Sequence, residues 1–148
     1  MNELVVLLGW MGVFSPVAGG AIGCAIGVAI AGQAAIGAML ETDSGYGRYI
    51  AAAAIPSSNV VYGIVVMFAL QRAVTPENGG ALFGVGFVAG VTLMIAAVWQ
   101  GRAAASAIAG SKNKPEIFGM AMAPAAIVEG FAVFTFVFAL VLAGGIEG

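Results

Sequence analysis

Charged residues divide the chain into four long apolar runs. None lies between Glu3 and Glu41, none between Arg48 and Arg72, and none between Glu77 and Arg102. From Ile117 to Ile146 the single charge is Glu129. A membrane-spanning helix needs roughly 20 apolar residues. The pattern therefore predicts helices over 5–40, 47–72, 80–110 and 116–144, the first and third long enough to extend beyond the hydrocarbon. The linkers "ETDSGYGR", "AVTPENGG" and "SKNKPE" are short and rich in turn-forming residues. Short linkers make successive helices antiparallel. The predicted fold class is an all-α membrane protein of four transmembrane helices in two tandem hairpins, residues 1–74 and 75–148.

Composition strengthens this reading. The chain is 61% hydrophobic and 8% charged, against about 25% charged in soluble domains. Its 23 glycines suit close helix packing in lipid. Net charge is −2 with no basic patch, so no nucleic-acid partner is expected. There is no histidine and one cysteine, Cys24, which excludes an internal disulfide and the common zinc sites. Cys24 reads as a small buried filler. The opening "MNELVVLLGWMG" has no Lys or Arg before its apolar run and reads as the start of the first span rather than a signal peptide.

The first and third linkers carry Arg48, Lys112 and Lys114, with Arg102 read as near that end, while the middle linker has Arg72 beside it. The positive-inside rule places linkers 41–48 and 111–116 in the cytoplasm and both termini outside. The two halves resemble each other: "IPSSNVVYGIVVMFAL" aligns with "APAAIVEGFAVFTFVFAL", pairing Pro56 with Pro124. That is a parallel repeat of one hairpin, with Glu129 opposite Val61 and Gln100 opposite Ala31. Gly19, Gly23, Gly27, Ala31 and Ala35 form a small-residue stripe on the first helix. Gly84, Val88, Thr92, Ala96 and Gln100 read as its weaker counterpart on the third. Such stripes suit either ordinary helix packing or the crowded inner wall of a ring.

Glu129 lies thirteen residues from Glu116, about 20 Å along a helix and near the middle of a core about 30 Å thick. An ionisable residue there is by default a functional one. No basic residue is expected at its depth. It must be protonated, paired or coordinated. Ile55, Ser58, Asn59 and Tyr62 share one face of the second helix, and the third helix offers Gln100. Counted from the helix ends, Ser58, Asn59, Gln100 and Glu129 share one depth. Neutral oxygens around one carboxylate suit a monovalent ion such as Na⁺, and a proton can use the same carboxylate. Pro56 cannot donate to the carbonyl of Ala52, which loosens the helix and frees a carbonyl such as that of Ile55 to face an ion.

These features together resemble the proteolipid (K or c) subunit of V/A-type rotary ATPases. The resemblance rests on two hairpins, a glycine-rich first helix, "IPSSNVVYG", "WQGRAAA" and "VEG", and covers essentially the whole chain. It implies a rotor ring of identical subunits, odd helices inside and even helices outside. Glu129 would carry the ion, joined in sodium-type members by the Ile55 carbonyl, Ser58, Asn59 and Gln100, with Tyr62 bonded to the carboxylate. Ser58 and Asn59 stand where such members carry Thr and Gln, which leaves Na⁺ or H⁺ as the transported ion. The implied partners are a stator membrane subunit with a basic residue, a central-stalk subunit meeting the cytoplasmic linkers, and membrane lipids. The implied place is a prokaryotic plasma membrane. No cofactor is expected besides the transported ion, and no catalytic site, because the chain has no P-loop. A small four-helix proton-coupled multidrug antiporter would also carry a lone membrane Glu. It would place it in the first helix near Trp and Tyr, whereas Trp10 and Trp99 lie far from Glu129 in sequence.

Overall fold

A computed structural model describes residues 1–147 of the chain. Helix α1 covers Asn2–Glu41 and α4 covers Gly79–Ser111, each unbroken. The second span is α2 (Tyr46–Ala54), a 3₁₀ turn Ile55–Ser57, and α3 (Ser58–Leu70). The fourth begins with a 3₁₀ turn Pro115–Ile117 and α5 (Phe118–Ala121), then runs as α6 (Ala123–Gly144). All four are long and apolar enough to cross a membrane, and each falls within a few residues of its predicted span. The protein is a multi-pass integral membrane protein.

The breaks have local causes. Pro56 has no N–H, so the Ala52 carbonyl is taken instead by the Ile55 N–H, one residue early, and the helix tightens to 3₁₀. In α1, Pro16 leaves the Gly12 carbonyl without its usual donor, yet the helix continues. That carbonyl lies against Gly86 of α4, where a side chain would collide with it.

The odd helices form one layer and the even spans the other. Helices α1 and α4 pack along most of their length, α3 lies on α1, and α6 on α4. Among the described residues α1 and α6 make no packing contact. Glycines set the separation of α1 and α4. A Cβ on Gly12, Gly19, Gly27, Gly86, Gly90 or Gly101 would strike the facing backbone, and the last three of these belong to α4. The face of α4 against α1 is therefore Gly86, Gly90, Ala97 and Gly101. The predicted stripe of Gly84, Val88 and Thr92 instead lines an outer groove with Phe131, Phe134 and Phe138 of α6. In a helix this rich in small residues, several faces carry a four-residue spacing, so spacing alone does not select the packed one.

The ends are tied separately. At the termini end, Arg72 donates to the carbonyls of Ala69 (2.7 Å), Ala143 (3.0 Å) and Ile146. One cation thus serves the C-terminal ends of two helices, where their dipoles favour positive charge. At the other end, Lys112 and Glu41 pair at 2.6 Å, an exposed contact of little weight.

Gly12→Ala should destabilise the protein by about 1–3 kcal/mol, because the added methyl meets the Leu82–Phe83 backbone. Gly37→Ala, with open space around it, should be neutral or slightly stabilising. Thermal unfolding of both variants in one detergent checks the contrast.

Candidate functional site

A carboxylate inside hydrocarbon needs a partner for every lone pair that water would otherwise satisfy. Glu129, on the first turns of α6 and half-buried, has three such partners. Ser58 Oγ donates to Oε2 at 2.9 Å. Tyr62 Oη donates to Oε1, and Gln100 Nε2 donates to Oε2. Second, third and fourth spans thus meet at one side chain.

Each partner is placed by its own element. The 3₁₀ turn sets Ser58 at the start of α3, where its Oγ lies 3.2 Å from the Ile55 carbonyl, a longer alternative acceptor for its one hydroxyl hydrogen. That carbonyl, the Ser58 hydroxyl and the Glu129 carboxylate form a run of close oxygens. Tyr62 lies one turn further along α3 and stacks on Phe136, ring centroids 5.2 Å apart. With Leu93, Ala96 and Ala132 these rings close the site on its termini side. Towards the first and third linkers it opens into a groove of about 600 Å³ lined by Ala54, Ile55, Ser58, Met122 and Ala126, with Glu129 at its head.

Asn59 takes a different position from the others. It is fully buried, and its Nδ2 donates to Gln100 Oε1 at 3.0 Å and to the Pro56 carbonyl at 3.2 Å. It stands behind Gln100 and makes no hydrogen bond to Glu129. Gln100 thus bonds to both, accepting from Asn59 and donating to Glu129. Ile55, Ser58, Tyr62, Gln100 and Glu129 are gathered directly, and Asn59 at one remove.

Two features escaped the sequence reading. Cys24 is buried as expected, but its Sγ also donates to the Pro56 carbonyl at 2.9 Å, so α1 is bonded to the proline turn. Arg102 lies only two residues beyond Gln100, about 3 Å along the helix, so a basic residue does stand near the depth of Glu129. It points away, with its guanidinium 4.7 Å from the ring of exposed Trp99. Both line a separate groove with Ser106 and Val128. The sequence reads Arg102 as near the linker end, yet α4 continues nine residues past it to Ser111. The same geometry brings Trp99 next to Gln100 in sequence but turns it outward, away from the carboxylate. Among the described residues no group of three or more His, Cys, Asp or Glu could hold a metal ion. The chemistry available is one carboxylate, neutral oxygens and donors, suited to a monovalent cargo.

Comparison with known proteins agrees with this architecture. The family model for the C subunit of ATP synthase matches twice, over residues 11–70 and 83–142, once in each hairpin. The A-type ATP synthase subunit K of Methanocaldococcus jannaschii is 30% identical over 122 residues, which cover 80% of this chain and 55% of that protein. The chain spans about half the length of that curated relative.

Tyr62→Phe should cost about 1–3 kcal/mol of unfolding free energy, since it leaves one carboxyl oxygen of Glu129 without its donor while keeping the ring on Phe136. Ser58→Ala should cost less, because its bond lies beside the open groove, where water can replace it. Unfolding measured in lipid-like detergent, with the two variants compared, tests this order.

Proposed function

Since this chain belongs to the family of the ATP synthase C subunit, we propose that it is a non-catalytic rotor-ring component of an A/V-type ATP synthase or ATPase that carries Na⁺ on Glu129. The observation that supports the ion site is the convergence of Ser58, Tyr62 and Gln100 on the lone carboxylate within the spans. The Ile55 carbonyl, Ser58 Oγ and Glu129 Oε2 lie close together and supply oxygens of the kind a monovalent cation takes, which is the support for Na⁺ as the ion. One carboxylate neutralises one monovalent ion, and a neutral site crosses lipid far more cheaply than a charged one. Gln100 closes the site from α4, Tyr62 holds the other carboxylate oxygen, and Asn59 lies behind Gln100.

In this reading identical subunits form the ring, with α1 and α4 in its inner layer and the second and fourth spans outside. The layering within one protomer supports that order. Each turn of the ring presents Glu129 to a stator subunit, whose basic residue displaces the ion. The linkers around Glu41–Arg48 and Ser111–Glu116 face the cytoplasm of a prokaryotic cell and meet the central stalk. The groove opening towards those linkers gives the ion a path from that side.

Reconstitution of the assembled complex in vesicles tests the reading. ATP-driven ²²Na⁺ uptake should persist with a protonophore present and should vanish in Glu129→Gln, with the ring still assembled. Absence of ²²Na⁺ uptake, with ATP-driven acidification of the vesicle lumen that the protonophore abolishes, would identify H⁺ as the cargo. Uptake unaffected by Glu129→Gln would remove the carboxylate from the mechanism.

A further inference from the structure

Asn59 is fully buried, yet its Oδ1 has no hydrogen-bond partner. A buried acceptor left unpaired is uncommon and costly. An amide turned over has the same outline, so the side chain could exchange its two ends without changing shape. What holds it is the other end. Nδ2 has two hydrogens and faces two acceptors, the Pro56 carbonyl at 3.2 Å and Gln100 Oε1 at 3.0 Å. Turned over, Asn59 would set Oδ1 against the Pro56 carbonyl, acceptor against acceptor. The orphaned Oδ1 is the consequence of keeping Nδ2 between two oxygens.

The constraint passes to Gln100. With Nδ2 of Asn59 beside it, Gln100 keeps Oε1 on that side and Nε2 towards Glu129. The carboxylate therefore meets donors from all three neighbours. A cation held between Gln100 and Glu129 requires the reverse, with Oε1 towards the ion. Gln100 Nε2 would then face Asn59 Nδ2, donor against donor.

We infer that Asn59, pinned by the Pro56 carbonyl, is a specificity-determining residue that holds Gln100 with its donor towards Glu129 and its acceptor away, and so weakens cation binding at that carboxylate. It acts through Gln100 and is not itself a ligand. The inference rests on the reading of Glu129 as a cation site. The lock belongs to the proline turn, where Cys24 Sγ shares the same carbonyl. It favours release, which a rotor needs as much as capture.

The sign of one substitution separates this from the direct-ligand alternative. Asn59→Leu keeps the branched outline, though it is larger, and removes the lock. Equilibrium ²²Na⁺ binding to the purified full-length chain should then tighten by about tenfold, roughly the worth of one hydrogen bond. The gain should disappear in a Gln100→Leu background, where no amide remains to be freed. Asn59→Val, smaller and equally apolar, should change affinity in the same direction and serves if the leucine variant does not assemble. Weaker binding in Asn59→Leu would make Asn59 a ligand and overturn the lock. Unchanged binding, or a gain that persists without Gln100, would overturn it too. Absence of saturable Na⁺ binding in both wild type and Asn59→Leu would overturn the cation reading itself, and the lock with it.

Discussion

A carboxylate held in hydrocarbon without a counter-charge dictates much of this structure. An isolated ionised group there is very costly, so Glu129 must be surrounded by groups that satisfy it, and those groups must come from other helices. Ser58, Tyr62 and Gln100 supply that satisfaction from two neighbouring spans. Arg102, the cation nearest in depth, is turned away on the exposed face of α4. The carboxylate is thus held by neutral dipoles and not by a salt bridge.

Bringing three spans to one side chain requires close packing, and α1 and α4 provide it. Their glycines let the two backbones touch, and Gln100 on α4 faces the second and fourth spans. The turn at Pro56 does the corresponding work on the second span. By tightening to 3₁₀ it turns Ser58 towards Glu129, and its own carbonyl takes side-chain donors from Asn59 and Cys24. Stability and function therefore share residues: the turn that breaks the helix also orients the amides beside the carboxylate.

Much of this was legible in the sequence. Charges are so sparse that Glu41, Arg48, Arg72, Glu77 and Glu116 mark the helix ends almost unaided. The site was legible because polar residues within apolar helices are few, and Ser58, Asn59 and Tyr62 share a face. The packed face of α4 was not legible. In lipid-facing helices the contrast between buried and exposed residues fades, since both are apolar, and Gly84 looks as good a packing residue as Gly86. Depth was misjudged for Arg102 because a charge was taken to mark a helix end, although α4 runs nine residues past it and the count that places Gln100 at the level of Glu129 places Arg102 there too. The bond between Asn59 and Gln100, and the donation from Cys24 to the Pro56 carbonyl, depend on rotamers and on neighbours distant in sequence.

The central claim is that Glu129 is the exchangeable ion carrier. Carbodiimide labelling of the purified chain, mapped by mass spectrometry with and without Na⁺ at fixed pH and ionic strength, tests it most directly, because the reagent attacks protonated carboxyls in apolar surroundings. The account predicts modification confined to Glu129 and suppressed by Na⁺ but not by K⁺. Modification of other carboxylates with Glu129 untouched would contradict it.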